Sequence, residues 1–277
     1  MFSIIIAIMV AAAGWFSVYY GFASHPSIWA TLAGVTGFIA VSVITNLIIR
    51  KKLEKIFKDV QEHILTAQEK LRRKVSILQN KMQGSTKLQA KMEQEQAGSI
   101  REAIGMLEAT TPLEKWNILV RKQVNTLKAQ LYFQIREYNN ADPLLEKAFV
   151  MDPITLAMKM TRFYKKDEQK KLDKAYKKGI VRFKDEKGIL IYALYSWILV
   201  KQKRIEDAIA VLEKGKDKTE SPVLQKNWEY LVNGRIKRFS NAGIGDNWYT
   251  LHLETPVQQR IQAQMPFGGR PSRKGFR

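Results

Sequence analysis

Two adjoining stretches decide the fold: IWATLAGVTGFIAVSVITNLII at residues 28–49 and RKKLEKIFKDV at residues 50–60. The first contains no Asp, Glu, Lys or Arg, and the second opens on three consecutive cations. The 22 residues of the first stretch are close to the roughly 20 that a helix needs to cross about 30 Å of hydrocarbon. The sequence therefore predicts a membrane-spanning helix that continues into water.

The charge distribution divides the whole chain in the same way. Of 277 residues, 46 are Lys or Arg and 26 are Asp or Glu, and none of these precedes Arg50. Residues 2–22 form another apolar stretch, so residues 1–49 are predicted to be a transmembrane helical hairpin closed by the linker at residues 23–27. The rival interpretation of the first stretch is a signal peptide cut near residues 11–13, although it lacks a basic start.

Flanking charge predicts the orientation of this hairpin. Five cations lie between Arg50 and Lys58, directly after the second stretch, whereas the linker contains no Lys or Arg. Cytoplasmic flanks of membrane helices carry such an excess of positive charge. We therefore expect an integral protein of the cytoplasmic (bacterial inner) membrane with both termini in the cytoplasm.

Residues 50–96 are predicted to be a helical stalk. Apolar side chains recur every three or four positions from Leu53 to Met82, in a near-heptad pattern, and Gly84 is the first break. One interpretation of this seam (residues 53–82) is a coiled coil that makes a homo-oligomer. The others are a helix lying on anionic lipid and a seam that packs inside the chain, because an extra residue after Leu71 spoils the strict heptad.

Residues 97–242 contain a pattern that returns four times. Each copy has an apolar or aromatic residue, then an alanine, then Leu or Gly one turn further along. The four copies are Ile100, Ala103 and Leu107; Tyr138, Ala141 and Leu145; Leu172, Ala175 and Gly179; Ile205, Ala208 and Leu212. The alanines are 38, 34 and 33 residues apart, which is typical of a helix-turn-helix solenoid.

Two of these copies resemble tetratricopeptide (TPR) repeats. The family's positions are occupied in residues 122–153 by Ala129, Tyr132, Tyr138, Ala141, Leu145, Ala148 and Pro153, and in residues 189–222 by Ser196, Leu199, Ile205, Ala208, Leu212 and Gly215. The third copy, residues 156–187, departs from the pattern at Lys166 and Gly179, which predicts a first helix that is out of register or shortened. The expected fold is thus an all-α chain with a short TPR-like α-solenoid after the stalk.

The resemblance also implies where a protein partner would bind. In TPR solenoids the first helix of each repeat lines a concave groove that holds segments of other proteins. Carried over by position, the lining is Gln123, Thr126, Gln130, Phe133, Ala193, Trp197, Val200 and Lys201. These amide, aromatic and basic side chains suit a short segment with an acidic end. The alternative for Phe133 and Trp197 is packing between helices.

The end of the chain has two different compositions. Residues 243–265 include WYTLHLE at residues 248–254, and are predicted to be an aromatic clasp laid back over the last repeat, with a partner-binding segment as the alternative. Residues 266–277 contain three Gly, two Pro and four cations, and are predicted to be a disordered basic tail.

Most chemistries find no support in the sequence. There is no Cys, the three His lie in separate segments, and no Gly-rich loop leads into Gly-Lys-Ser/Thr. We therefore assign no catalytic residue, cofactor or metal ligand and do not expect an enzyme. Residues 159–187 contain 12 Lys or Arg against 5 acids. This surplus indicates either a surface for anionic lipid or an acidic protein, or a solvated helix face, while nucleic acid is not expected as a partner.

Together these features predict a membrane-anchored scaffold or adaptor that binds a protein partner and organises a membrane-associated complex. The alternative is a non-catalytic accessory subunit of a membrane enzyme or of an export or envelope-assembly machine. The domain order resembles that of bacterial inner-membrane repeat proteins associated with haem biosynthesis and of anchored adaptors of envelope assembly. Such a resemblance implies protein–protein interaction as the role.

The orientation can be tested because the chain lacks cysteine. In intact cells, an impermeant thiol reagent should label Ser24→Cys in the linker and leave Ser85→Cys unlabelled, since only the linker is expected outside. Lysed cells provide the control that both thiols are reactive. The reverse labelling pattern would contradict the orientation.

Overall fold

The computed structural model describes residues 2–21, 26–79 and 86–255. Within these residues all regular secondary structure is helical, which confirms the all-α prediction. The predictions for linker residues 23–25, for the break at Gly84 and for residues 256–277 lie outside the described residues.

The described α-helices are α1 (Phe2–Gly21), α2 (Pro26–Gln79), α3 (Thr86–Met106), α4 (Thr111–Glu114), α5 (Ile118–Gln134), α6 (Tyr138–Lys147), α7 (Pro153–Lys165), α8 (Gln169–Arg182), α9 (Ile189–Lys201), α10 (Ile205–Thr219), α11 (Pro222–Val232) and α12 (Asp246–Tyr249). Short 3₁₀ turns lie at Leu107–Thr110, Asp185–Gly188, Ile236–Arg238 and Ala242–Ile244.

Helix α1 and the first part of α2 are long and apolar enough to cross a membrane, and they pack against each other as a hairpin. Small residues form the contact: Ala7 and Ala30 have no exposed surface, and a Cβ added to Gly34 would lie 3.1 Å from the carbonyl oxygen of Ala11. Small side chains allow two helix backbones to approach closely. The larger apolar side chains of both helices are mostly exposed.

Helix α2 continues beyond the apolar stretch as one helix of 54 residues, which is about 81 Å long at 1.5 Å per residue. Helix α3 runs back along it: Lys74 pairs with Glu95 at 2.7 Å, and His63 lies 3.2 Å from Glu102. The predicted stalk is therefore an antiparallel pair of helices.

The first half of the seam is buried inside the chain. Leu53 is 6% exposed and Val60 1%, and both belong to one core with Ile100, Leu107 and Val124 from α3, the following turn and α5. The structure thus favours the intramolecular interpretation for this half, because α3 and α5 supply the nearest apolar surface. A coiled coil through the whole seam stays a prediction.

Three segments meet where the apolar part of α2 ends. The Ser3 hydroxyl donates to the carbonyl oxygen of Trp116 at 2.8 Å, and the side-chain amide of Asn117 donates to that of Asn46 at 2.9 Å. The ring of Phe2 also packs edge-on against Trp116. Helix α5 therefore begins beside the open end of the α1–α2 hairpin.

Helices α5 to α10 form three hairpins, α5–α6, α7–α8 and α9–α10, and are followed by α11 and the short helix α12. The first helices of these hairpins contact one another in succession, α5 with α7 and α7 with α9, and α9 contacts α11. Helix α9 lies at the centre, since every residue from Leu190 to Leu199 is buried. The repeat pattern of the sequence thus corresponds to a row of helical hairpins.

Helices α5, α7, α9 and α11 end in the same turn. A left-handed residue follows each helix, at Arg136, Asp167, Lys203 and Gly234, with φ between 58° and 67°. The next N–H donates to the carbonyl oxygen five residues earlier, as Glu137 does to Tyr132. These hydrogen bonds define the Schellman ending of a helix.

The recurring turn corrects the alignment of the third copy. The N–H after the left-handed residue donates to the carbonyl oxygen of Tyr132 in the first hairpin, of Phe163 in the second and of Leu199 in the third. Phe163 is therefore the residue of α7 that corresponds to Tyr132 and Leu199. Lys166 lies just beyond α7, where it caps the helix end. The departure at Lys166 is therefore a shift of the sequence alignment by three residues.

The same shift explains Gly179. It corresponds to Ala148 and Gly215, so all three hairpins carry a small residue at this position. A Cβ on Gly179 would lie 2.6 Å from Cδ2 of Leu156, and one on Gly215 would lie 2.9 Å from Cγ of Tyr192. Close packing between neighbouring helices therefore requires a small side chain here.

The turn geometry predicts opposite effects for two glycine substitutions. Gly234→Ala should lower the free energy of unfolding by about 1 kcal/mol, because alanine is strained in a left-handed conformation. A steric clash does not contribute, since no atom lies within 4 Å of the new methyl group. Gly105→Ala, in the interior of α3 with equally free space, should raise it by about 1 kcal/mol. Denaturant unfolding followed by circular dichroism measures both, and a stabilising Gly234→Ala would contradict the turn.

Candidate functional site

Residues 246–254, the C-terminal segment, lie against the residues predicted to line the groove. Trp248 and Leu251 are almost completely buried and belong to the same core as Phe133 and Trp197. The rings of Trp197 and Trp248 meet edge to face with centroids 5.8 Å apart. The segment is therefore an integral part of the repeat core.

Glu254 anchors one end of the C-terminal segment. Its two carboxylate oxygens accept hydrogen bonds from the indole N–H groups of Trp197, at 2.7 Å, and Trp248, at 2.8 Å. Hydrogen bonds to an ionised acceptor are stronger than those between neutral groups. A single carboxylate thus satisfies two buried indoles from different parts of the chain.

His252 makes the second contact. Its ring stacks on Phe133 with centroids 5.6 Å apart and planes 9° from parallel, and its Nδ1 lies 3.4 Å from the hydroxyl of Tyr138. Burial lowers the pKa of His252, and the nearby Arg136 guanidinium lowers it further. A neutral imidazole is therefore favoured, which suits a ring stacked on a phenyl group.

An ion pair between Arg162 and Asp142 packs against Tyr138, the residue beside His252. The guanidinium of Arg162 lies 4.1 Å from the centre of the Tyr138 ring and donates two hydrogen bonds to Asp142, at 2.7 and 3.0 Å. Burial alone would raise the pKa of Asp142, but hydrogen bonds from Arg162 and Lys166 lower it. The ion pair joins α6 to α7, and its guanidinium packs on the ring of Tyr138, which lies beside His252.

An asparagine pair ties the preceding loop to α9. Asn241 donates to the carbonyl oxygen of Ala193 at 3.0 Å and accepts a hydrogen bond from Asn227 at 2.9 Å. Ala193 and Asn241 have no exposed surface. Ala193 is therefore a packing residue beneath the loop that leads into the C-terminal segment.

Two other predicted lining residues hold neighbouring hairpins together. Gln130 donates to the hydroxyl of Thr155 at 2.7 Å, and the hydroxyl of Thr126 accepts from the backbone N–H of Phe149 at 2.9 Å. The first bond joins α5 to α7, and the second joins α5 to the loop between α6 and α7. These side chains are therefore engaged within the chain.

The other predicted lining residues lie at the edge. Gln123 and Lys201 are exposed and Val200 is half-buried. The Lys201 ammonium lies 5.0 Å from the centre of the Trp197 ring.

The structure thus places Phe133, Ala193 and Trp197 beneath other parts of the chain, and their role in binding a partner stays a prediction. All three are buried, and the C-terminal segment or the loop before it covers them. Phe133 and Trp197 are packed, as the alternative interpretation predicts, but the C-terminal segment is among their packing partners. His252 and Glu254 make these contacts but were not predicted to do so. The aromatic stretch WYTLHLE, which contains both residues, predicted only that this part of the chain would pack on the repeats.

Within the described ranges, no group of three or more His, Cys, Asp or Glu side chains is arranged to hold a metal ion. Comparison of the chain with protein-family models, with curated proteins and with solved structures gives no match.

The Glu254 contact predicts a stability difference between two glutamate variants. Glu254→Ala leaves two buried indole N–H groups without an acceptor and should lower the free energy of unfolding by about 1–3 kcal/mol. Glu213→Ala removes the same charge from an exposed position on α10 and should change it by less than about 0.5 kcal/mol. Denaturant unfolding compares the two, and equal effects would contradict the anchoring role of Glu254.

Proposed function

We propose that this protein is a membrane-anchored scaffold whose TPR-like repeats bind a partner protein at the cytoplasmic face of a bacterial inner membrane. In this proposal the α1–α2 hairpin is the anchor, the repeats organise a membrane-associated complex, and the chain contributes no chemistry of its own. The partner segment binds where the C-terminal segment now lies.

The observation that carries the proposal is the set of contacts that the C-terminal segment makes with the repeats. A ring stacked on Phe133 and a carboxylate held by the indole of Trp197 are contacts of the kind that bind short peptides in grooves. His252 and Glu254, two residues apart in the C-terminal segment, supply these two contacts. The surface therefore suits a segment with a planar ring and an acidic residue two positions later.

A partner segment of this composition would exchange with the C-terminal segment. The latter is part of the same chain, so its effective concentration at the groove is high and it competes strongly. Weakening its hold should therefore strengthen partner binding. In the wild type this competition keeps the groove filled until the partner is present.

The path of α2 supports the anchoring part of the proposal. One helix contains both the apolar stretch and Leu53 and Val60, which are buried in the core shared with α5. The repeats are therefore attached to the hairpin through packed side chains rather than through a linker. A groove held in this way suits a role in gathering partners at a membrane.

Quantitative affinity purification tests the proposal. The full chain, tagged and extracted in mild detergent, should recover more of one partner when Glu254→Ala weakens the C-terminal segment, while Glu213→Ala recovers the wild-type amount. Adding Lys201→Glu to Glu254→Ala should reduce recovery again, because it reverses a charge beside Trp197.

Other outcomes identify the competing functions. Loss of the partner from Glu254→Ala would mean that the C-terminal segment itself is the docking site. Equal recovery by all variants would favour a non-catalytic accessory subunit held through other surfaces. Turnover of a substrate by the purified protein alone would contradict the scaffold.

A further inference from the structure

A second site lies away from the C-terminal segment, between the loop that joins α6 to α7, helix α7 and helix α8. A cavity of about 420 Å³ opens there, within the roughly 300–1,000 Å³ of small-molecule pockets. Its floor is apolar and consists mainly of Phe149, Val150, Leu156, Phe163, Gly179 and Phe183. Gly179 belongs to this floor, where its missing Cβ allows Leu156 to pack closely.

The rim of the cavity is entirely basic. It contains Lys159, Lys171, Lys174, Lys178 and Arg182, and no Asp or Glu lines the cavity. The nearest ion pairs are those of Lys171 with Glu168, at 3.1 Å, and with Glu146, at 3.9 Å. In the described part of the chain, Lys174, Lys178 and Arg182 have no carboxylate within 4 Å.

The spacing of the α8 cations explains why they converge. Lys171, Lys174, Lys178 and Arg182 are separated by three, four and four residues, which places them on one face of a helix. Lys170 and Lys177 lie on α8 outside the cavity lining. One row of cations on α8 therefore lines the cavity, and Lys170 and Lys177 are available as matched control positions on the same helix.

The fifth cation, Lys159, is half-buried. Burial lowers the pKa of Lys159, Glu146 opposes this shift, and Lys171 and Lys178 add to it. The Lys159 ammonium donates to the carbonyl oxygen of Glu146 at 3.2 Å. An anion bound at the rim would reduce the repulsion among these cations.

We propose that this cavity binds an anionic amphiphile, with the alkyl or acyl chain on the phenylalanine floor and a phosphate or carboxylate head at the basic rim. The apolar floor distinguishes such a ligand from inorganic phosphate, and the five cations distinguish it from a neutral lipid. The chain's own residues 256–277 are excluded as occupants by charge, because they contain five cations and no acid.

Photo-crosslinking tests this site in the full chain. The protein is placed in nanodiscs of zwitterionic phosphatidylcholine and exposed to dodecyl phosphate carrying a diazirine near the chain end. Digestion and mass spectrometry should locate the crosslinks in peptides that contain Phe149, Phe163 or Phe183. Dodecanol with the same diazirine should label these peptides weakly, since it lacks the anionic head.

Two variants and one control sharpen the result. Lys174→Glu with Lys178→Glu should reduce labelling of the cavity about tenfold, because two charge-assisted contacts are lost. Lys170→Glu with Lys177→Glu carries the same charge change on the same helix and should leave labelling near the wild-type level. Val150→Phe, which keeps every charge but fills part of the cavity, should also reduce labelling.

A second arm distinguishes the sources of the ligand. Nanodiscs that contain a photoreactive phosphatidylglycerol show whether a bilayer lipid reaches the cavity, whereas labelling by dodecyl phosphate alone indicates a free amphiphile. Equal labelling by dodecanol, or labelling that both double variants reduce equally, would overturn the proposal. Because the readout needs no protein partner, this result is independent of the scaffold proposal.

Discussion

Burial of one face of α2 between Ile49 and Ile64 is the interaction on which the rest of the structure depends. Ile49, Leu53 and Val60 pack with α3 and α5 in one core, and they belong to the same helix as the apolar hairpin. Because the helix does not break where the apolar stretch ends, one continuous helix runs from the hairpin into the core that it shares with α3 and α5. The C-terminal segment and the basic cavity lie along the row of helical hairpins that begins at this core.

The elements set by local pattern were predictable from the sequence. The apolar hairpin follows from two long uncharged stretches, and the positions of Ala103, Ala141 and Ala208 on buried helix faces follow from their period. The register of the third hairpin was not predictable, because it depends on the turn at Asp167. Glycine is the usual residue at such a turn, but three of the four turns use Arg, Asp or Lys and therefore give no sequence signal.

The candidate site was predictable only in part, for a different reason. Position within the repeat assigned Phe133 and Trp197 to the groove side, but periodicity contains no information about what covers a surface. Glu254 lies 57 residues beyond Trp197, and His252 lies 114 residues beyond Tyr138. The same limit applies to the seam of α2, whose period suits a second copy of the helix as well as α3. Contacts across such separations depend on the complete fold.

Proximity of Asn46 and Asn117 tests the central claim, that the repeats are docked on α2 beside the apolar hairpin. Their side chains are 2.9 Å apart, and the chain has no other cysteine to interfere. Asn46→Cys with Asn117→Cys, treated in native membranes with a short bifunctional thiol reagent, should give an intramolecular crosslink. Asn46→Cys with Gln123→Cys, six residues and about 9 Å further along α5, should not. Failure of the first pair to crosslink while both single thiols react with a monofunctional reagent would contradict the account.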